Sequence, residues 1–434
     1  MRKAKALISA LMLSIAVGMF TAAYIQSKGT DVKFLVRNIL RNNKFPNDKK
    51  PQPIKGKSHI QEGTALGNPV KQNGDTVRNA SPQSNGRNKR IENIKVRAVY
   101  LTGGSAGNKQ ILGRIVELSK NTELNSVVID IKEGGMVNYM SNVLEVKRNN
   151  AYHPLYDVDG VIKTLHDNNI YIIGRIVCFR DPVLAEKRVD LAVKSTNGQI
   201  WREGRTAWTN PYNEEVWKYN IDIAREAVEK GFDEIQFDYV RFPTARNSEL
   251  SYGSNVPAKA DAICKFLEMA QKRLHDEMGA AVSADVFGII CESGGDTEDI
   301  GQVLEKMGKD IDSISPMLYP SHFANASYGI NGNGVGQVIN GILFAAPDLS
   351  PYEVVYNALV KTKNRLSGIS GYKAKIRPYL QAFTASYLSS GYYQRYTAVQ
   401  IRQQIKAVYD AGYSEWILWD PNNAYPADAF EKRQ

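Results

Sequence analysis

The amino-acid sequence predicts a (β/α)8 TIM barrel with enlarged βα loops, preceded by a hydrophobic N-terminal helix and a disordered linker. Eight short runs rich in β-branched residues alternate with helix-like stretches from Val96 onward. Such alternation is typical of a parallel sheet covered by helices, and eight repeats are the number that closes a barrel. The chain has 434 residues, and its first fifth differs in composition from the remainder. That fifth is therefore predicted to be an appendage to the barrel.

The first 27 residues carry the pattern of an export signal. Basic residues precede an apolar run over residues 6–25, which would form a helix about 30 Å long at roughly 1.5 Å per residue. This order predicts a signal peptide or membrane anchor over residues 1–27. The run is long for a cleaved peptide, and Thr21-Ala22-Ala23 is a poor cleavage site. We expect an extracytoplasmic, membrane-anchored protein, with secretion as the alternative.

Residues 28–90 are predicted to be a basic, flexible linker. Most of this segment is rich in Asn, Lys, Gln, Gly, Pro and Ser, so it cannot bury enough apolar surface to offset the entropy of ordering. Residues 1–90 contain 17 Lys and Arg against 4 Asp and Glu, whereas residues 91–434 contain 38 against 41. The net charge of +10 therefore resides in the N-terminal part. No nucleic-acid partner is expected, because phosphate binding requires a concentrated basic surface.

Residues 91–434 are predicted to form the barrel domain. The eight predicted strands are short and enriched in β-branched or aromatic residues, as buried strands are. They cover residues 96–101, 126–131, 171–179, 234–240, 281–287, 313–319, 375–383 and 415–419.

Helix-like stretches lie between these strands. They cover residues 109–120, 214–230, 258–278, 351–366 and 398–411. Gly231 and Gly412 follow two of them as C-terminal caps. A doubly wound sheet is the alternative fold, but the glycines at 103 and 104, after the first strand, do not fit its phosphate-binding pattern.

Polar and aromatic residues gather where the predicted strands end, which is the face of a barrel that carries chemistry. Two of these residues are predicted to be catalytic, Asp238 and Asp285, and Glu292 is a further candidate. The remaining candidates are predicted to bind substrate: Asp130, Lys132, Glu133, Arg241, Tyr319, His322, Gln381, Trp419 and Asp420.

Asp238 and Asp285 end the fourth and fifth predicted strands. Period-2 alternation places Asp238 on one face with Gln236, and Asp285 above the small residue Ser283. Neighbouring strands lie about 4.8 Å apart, so the two carboxyl groups can approach the roughly 5–5.5 Å of a retaining glycosidase pair. One carboxylate would then attack the anomeric carbon, and the other would act as acid and base. A single such Asp more often caps a helix than catalyses.

Four motifs resemble a known family. Residues 237–243 (FDYVRFP), 283–288 (SADVFG), 315–323 (SPMLYPSHF) and 376–383 (IRPYLQAF) look like the bacterial putative glycoside hydrolase family, uncharacterised barrels distantly related to α-amylase-like enzymes. The resemblance extends over about residues 94–430. It implies a TIM barrel, export, and action on a polysaccharide.

The resemblance also implies roles for individual residues. In amylase-like enzymes the nucleophile is an Asp that ends the fourth strand, which corresponds to Asp238. The acid/base that ends the fifth strand is usually Glu, whereas this chain has Asp285, with Glu292 seven residues further on. This departure from the family pattern leaves the acid/base open between Asp285 and Glu292.

Two other functions remain open. A non-catalytic carbohydrate-binding barrel at the cell surface would suit the same residues if the Glu-to-Asp departure abolishes hydrolysis. A metal-dependent polysaccharide deacetylase is disfavoured, because the five histidines are scattered along the chain. No cofactor or metal is expected, and the three cysteines lack the spacing of metal ligands.

Overall fold

The computed structural model describes residues 94–324 and 336–433. The predicted anchor over residues 1–27 and the predicted linker over residues 28–90 lie outside the described residues. Within the part of the chain that is described, no helix has both the length and the apolar character needed to cross a bilayer.

Eight parallel strands close into a barrel, which confirms the predicted fold. Each strand pairs with the next along the chain, and β8 pairs with β1 through Trp416 and Arg97. Pro378, which has no N–H to donate, separates the two short segments of β7. The strands are β1 Arg97–Leu101, β2 Ser126–Glu133, β3 Tyr171–Val177, β4 Glu234–Asp238, β5 Ala281–Phe287, β6 Ser313–Met317, β7 Lys375–Ile376 with Tyr379–Gln381, and β8 Trp416–Trp419.

Helices cover the outside of the barrel. They are α1 Gly103–Ala106, α2 Lys109–Asn121, α3 Leu144–Arg148, α4 Val158–Asp167, α5 Pro182–Lys187, α6 Glu214–Lys230, α7 Lys259–Ala270, α8 Leu304–Met307, α9 Pro351–Leu366 and α10 Ala398–Asp410. The predicted bounds of α6 and α9 are those of the structure. The predicted helix over residues 258–278 differs, because α7 ends at Ala270 and continues as a π-helix over Gln271–Asp276.

The interior of the barrel is polar as well as apolar. Along β4 the inward positions hold Glu234, Gln236 and Asp238, as period-2 alternation requires. Gln236 accepts a hydrogen bond from the Tyr379 hydroxyl at 2.6 Å and donates to Ser315 Oγ at 3.1 Å. These bonded side chains fill the barrel beneath Asp238, so they form a fixed floor for any cavity at its carboxyl end.

The loop between β3 and α6 is enlarged and contributes to the same end of the barrel. Its backbone forms short paired segments, and it carries the buried Trp208 to the ring of Tyr239, just beyond β4. The two-residue strands outside the barrel are Met136–Val137, Lys194–Ser195, Arg202–Glu203, Thr206–Ala207, Leu250–Ser251, Val338–Ile339 and Ile342–Leu343. The loop after β6 includes residues 325–335, which the structure does not describe.

Candidate active site

A cavity of about 130 Å³ lies at the carboxyl end of the barrel. Residues from six of the eight strands or the turns that follow them reach it, which is why widely separated sequence positions meet there. Its lining consists of Arg175, Asp238, Tyr239, Arg241, Asp285, Val286, Phe287, Gln302, Met317, Tyr319, Tyr379 and Trp419.

Arg175, at an inward position of β3, connects the carboxylates of the neighbouring strands. Its Nη1 donates to Asp130 Oδ1 at 2.6 Å and to Glu133 Oε2 at 3.0 Å. Its Nη2 and Nε donate to Asp238 Oδ2 at 2.6 and 3.0 Å. Burial alone would disfavour the charge, but these surrounding carboxylates raise the pKa of Arg175 well above its usual range. Arg175 is therefore a fixed cation at the centre of the site.

Asp238 is oriented by hydrogen bonds to both of its oxygens. Oδ2 accepts the two bonds from Arg175, and Oδ1 accepts the backbone N–H of Tyr239 at 2.6 Å. Tyr239 has a φ of 49°, a left-handed conformation that bulky residues rarely adopt. The strained backbone immediately after β4 thus holds an N–H against the carboxylate.

Asp285, on the neighbouring strand β5, has a contrasting environment. It is 1% exposed, and neither of its carboxyl oxygens has a hydrogen-bond partner among the described residues. Burial, followed by the negative charge of Asp238, raises the pKa of Asp285 well above its usual range. Both effects favour the protonated form of Asp285, which is the form that has a proton to donate.

The two carboxyl groups lie close to each other because one atom of Arg175 approaches both. Arg175 Nε is 3.0 Å from Asp238 Oδ2 and 3.9 Å from Asp285 Oδ2. The separation of these two oxygens can be no larger than the two distances combined, about 7 Å. For these two oxygens the bound admits the roughly 5–5.5 Å of a retaining glycosidase and also the lower end of the roughly 6.5–9.5 Å range of an inverting one.

Asp130 and Glu133 support Arg175 from β2. Asp130 also accepts a hydrogen bond from the Tyr100 hydroxyl at 2.5 Å. Burial raises the pKa of Asp130 to about 6, although Arg175 opposes the shift. The Glu133 side chain is 44% exposed and reaches Arg175 from the solvent side. The predicted residues Asp130 and Glu133 therefore hold Arg175 in place by hydrogen bonds, and neither is among the residues that line the cavity.

Aromatic rings form one wall of the cavity, near the ends of β6 and β8. Tyr319 and Trp419 both line the cavity, with ring centroids 5.8 Å apart. Phe383 packs edge-on against Trp419 at 5.2 Å, and the exposed His322 packs edge-on against Tyr319 at 5.0 Å. The structure thus brings together Tyr319, His322 and Trp419, all predicted from the sequence, as flat surfaces suited to stacking against a ring.

Lys132 is placed elsewhere, because β2 carries a bulge. Asp130 pairs with Arg175, but Lys132 already pairs with Ile176, so one extra residue stands on β2. The bulge turns Lys132 outward, where its Nζ donates to Asp181 and Asn220, each at 2.8 Å. Lys132 is fully buried behind the barrel wall and does not line the cavity.

Three further predicted residues form hydrogen bonds with the surrounding loops and are not among the residues that line the cavity. Glu292 accepts the backbone N–H of Asn340 at 3.0 Å. Gln381 donates to Asp348 at 2.9 Å from a fully buried position. Asp420 accepts two backbone N–H bonds from the turn that follows β8, at 3.1 and 3.0 Å. Of the two acid/base candidates, the structure places only Asp285 beside Asp238.

No role in the site was predicted for Arg175, although it was noted as a polar residue of the third strand, or for Tyr379, and both line the cavity. Arg175 is a charged residue in the middle of an otherwise apolar strand, and that anomaly was a usable signal. Tyr379 had no such signal, because an aromatic residue in a strand is ordinary. Within the described residues no group of three or more His, Cys, Asp or Glu side chains is arranged to hold a metal ion.

Comparison with known proteins addresses the same region of the chain. No protein of curated function matches. A hypothetical protein from Ruminiclostridium thermocellum is 48% identical over 43% of this chain and 97% of its own, with a TM-score of 0.41. The PgaB glycoside hydrolase domain from Bordetella bronchiseptica is 12% identical over 79% of this chain and all of its own, with a TM-score of 0.53.

A β-galactosidase from the psychrophilic Marinomonas ef1 is 10% identical over 77% of this chain and 58% of its own, with a TM-score of 0.52. At these identities the last two likenesses show the barrel fold alone. Residues 98–425 match the model of a family described as a putative glycosyl hydrolase domain, which agrees with the resemblance seen in the four motifs. The match extends over most of the barrel and includes Asp238 and Asp285, so the chain belongs to this glycosyl hydrolase-like family.

Proposed function

We propose that this protein hydrolyses glycosidic bonds of a cell-envelope or extracellular polysaccharide by a two-carboxylate, retaining mechanism. The observation that carries the proposal is the difference between Asp238 and Asp285. Asp238 is paired with Arg175, whereas Asp285 is buried with no hydrogen-bond partner in the described part of the chain and has a raised pKa. Two neighbouring carboxyl groups in such different environments are suited to opposite roles, one as nucleophile and one as acid.

In the first step Asp285 donates its proton to the glycosidic oxygen, and an oxygen of Asp238 attacks the anomeric carbon. The bond to the leaving sugar breaks, and an ester between Asp238 and the remaining sugar forms. In the second step ionised Asp285 takes a proton from water, and the resulting hydroxide attacks the anomeric carbon. The ester breaks, Asp238 regains its negative charge, and Asp285 is protonated again.

The other residues of the cavity position the reacting groups. Arg175 binds one oxygen of Asp238 twice, so the carboxylate cannot rotate freely before it attacks. Tyr319 and Trp419 offer ring faces against which a sugar ring can stack. The fixed floor of Gln236 and Tyr379 limits how deeply the sugar can enter.

The test is hydrolysis by residues 91–434 of isolated cell-wall and capsular polysaccharides, followed by mass spectrometry of released sugars. Asp238→Asn and Asp285→Asn are each expected to lower the rate by at least about a thousandfold. For the unmodified protein, the proton NMR spectrum of the first product is expected to show a retained anomeric configuration. Asp167→Asn, which removes an exposed carboxylate at the end of α4 outside the cavity, serves as the control for general damage. Full activity in both Asp variants would exclude the mechanism, and glycan binding without released sugar would favour a non-catalytic barrel.

We also propose that the barrel works outside the cytoplasm, tethered to the membrane by residues 1–27. The support is the basic and apolar order of that segment and the net positive linker over residues 28–90. A fusion of residues 1–90 to alkaline phosphatase is expected to be active and to sediment with membranes. An inactive fusion would contradict export, and an active fusion found in the medium would favour cleavage and secretion.

A further inference from the structure

Arg241, three residues beyond β4, is a buried cation with no carboxylate partner among the residues that the structure describes. It is 2% exposed and lines the cavity together with Asp238 and Asp285. Its Nη1 donates to the backbone carbonyl of Phe242 at 2.9 Å, and its Nη2 has no hydrogen-bond partner among the described residues.

The two other arginines near the cavity form ion pairs with carboxylates. Arg175 is paired with Asp238, and Arg180 lies 3.3 Å from Glu203. Within the described residues no carboxylate lies within 4.0 Å of the Arg241 guanidinium. Arg241 therefore differs from its neighbours in having a free bonding position beside the cavity.

Aromatic rings enclose the guanidinium on several sides. The Cζ atom of Arg241 lies 4.6 Å from the ring centre of Phe287, 4.8 Å from Trp208 and 5.1 Å from Tyr239. Contacts of this kind partly replace hydration, but they do not replace a counter-ion. Burial lowers the pKa of Arg241, although the nearby carboxylate of Glu203 opposes the shift and a guanidinium stays charged in proteins. An anionic group bound in the cavity would offset that cost of burial.

The position of Arg241 relates it directly to the reacting carboxyls. Tyr239, which touches it, follows Asp238 along the chain, and Phe287, which also touches it, lies two residues after Asp285. The guanidinium thus lies above the ends of β4 and β5. A sugar held for attack by Asp238 would have one of its substituents within reach of Arg241.

We propose that Arg241 binds a carboxylate of the substrate, so that the sugar bound beside Asp238 and Asp285 is a uronic acid unit of an acidic polysaccharide. This inference rests on the glycoside hydrolase activity proposed above. A carboxylate fits because it is planar and small, matching both the planar donor edge of a guanidinium and a cavity of about 130 Å³.

The first test compares polyuronates with the same polymers after chemical reduction of their carboxyl groups to alcohols. The unmodified protein is expected to cleave the native polymers at least about tenfold faster than the reduced ones, because a charge-assisted hydrogen bond is lost on reduction. Arg241→Gln is expected to lower that ratio to about one. Arg202→Gln is the control, since Arg202 is an exposed arginine of the same enlarged loop, paired with Glu186, and should leave the ratio within about twofold.

The second test measures binding without catalysis, so that failure of this inference can be told from failure of the proposed hydrolysis. Asp238→Asn protein is titrated by calorimetry with D-glucuronate and D-galacturonate, and with D-glucose and D-galactose as neutral controls. Tighter binding of the uronates, lost when Arg241→Gln is added to a protein with an unchanged circular dichroism spectrum, supports the inference. Equal or tighter binding of the neutral sugars, or equal cleavage of native and reduced polymers, overturns it while leaving hydrolysis intact.

Discussion

Arg175 contacts a single oxygen of Asp238 through two nitrogens, Nη2 at 2.6 Å and Nε at 3.0 Å. The same Nε is 3.9 Å from Asp285, too far for a hydrogen bond. The two carboxyl groups line the same cavity, but only that of Asp238 forms hydrogen bonds with the Arg175 guanidinium. Asp238 forms the ion pair with Arg175, whereas burial favours the protonated form of Asp285.

This separation predicts that activity is lost as the pH rises through the raised pKa of Asp285. The acid form of Asp285 must protonate the leaving oxygen, and ionisation removes that proton. A pH profile of kcat/KM on a natural glycoside should fall on its basic side. Asp285→Gly, assayed on an aryl glycoside whose leaving group needs no acid, should lose that basic limb and be accelerated by azide. A basic limb that persists in Asp285→Gly would assign it to another group.

The same shift predicts how stability depends on pH. The folded-state pKa of Asp285 lies above its unfolded value, so its contribution to stability is fully present below about pH 4 and is lost as the pH rises through the folded-state pKa. Urea unfolding should therefore show that the free energy of unfolding of Asp285→Asn rises, relative to that of the unmodified protein, with increasing pH. A difference independent of pH would show that Asp285 is not protonated in the folded protein.

Removal of the central cation should destabilise the barrel. Arg175→Gln leaves Asp130 and Asp238 buried without their shared partner, which is expected to lower the free energy of unfolding by about 3–5 kcal/mol. Arg188→Gln is the control, since Arg188 contacts three carboxylates but is 30% exposed, and should change stability by less than about 1 kcal/mol. Similar losses in the two variants, measured by urea unfolding, would contradict a special role for Arg175.

Much of the barrel could be predicted because the strands are short, enriched in β-branched or aromatic residues, and separated by helix-like stretches. Period-2 alternation also placed Gln236 and Asp238 on one face correctly. The site was harder, because distances between strands depend on how the barrel closes. Nothing in the sequence shows that Arg175 would lie between Asp130 and Asp238, or that Asp285 would lack a partner.

Lys132 shows a second limit of sequence reasoning. Alternation would place Lys132 on the same face as Asp130, but the bulge on β2 reverses the parity beyond that point. Glu133 consequently points inward to Arg175, while Lys132 points outward to Asp181. A bulge of one residue leaves little trace in the pattern of apolar and polar residues, so it was found only in the structure.

The outward position of Lys132 predicts a structural effect when it is replaced. Both partners of the Lys132–Asp181 ion pair are fully buried, so Lys132→Met should lower the free energy of unfolding by about 3–5 kcal/mol. Adding Asp181→Asn removes the unpaired charge but keeps an acceptor for the Leu184 N–H, and should restore part of that loss. A raised KM in Lys132→Met without any loss of stability would instead indicate that Lys132 binds substrate.

Gly174 precedes Arg175, and its lack of a side chain allows β2 and β3 to pack closely. A Cβ atom at this position would lie 2.2 Å from Ile131 Cδ1 and 2.8 Å from Phe232 Cδ1, both in the buried core. Gly174→Ala is therefore expected to lower the free energy of unfolding by about 1–3 kcal/mol and to reduce kcat, because a shift of β3 away from Ile131 would move Arg175. Gly113→Ala, on the exposed side of α2 with no atom within 4 Å, should instead raise stability by about 0.5–1 kcal/mol. Urea unfolding and an activity assay of both variants test this prediction. If the two variants have equal stability and equal kcat, β2 can move away from Gly174 without disturbing the site.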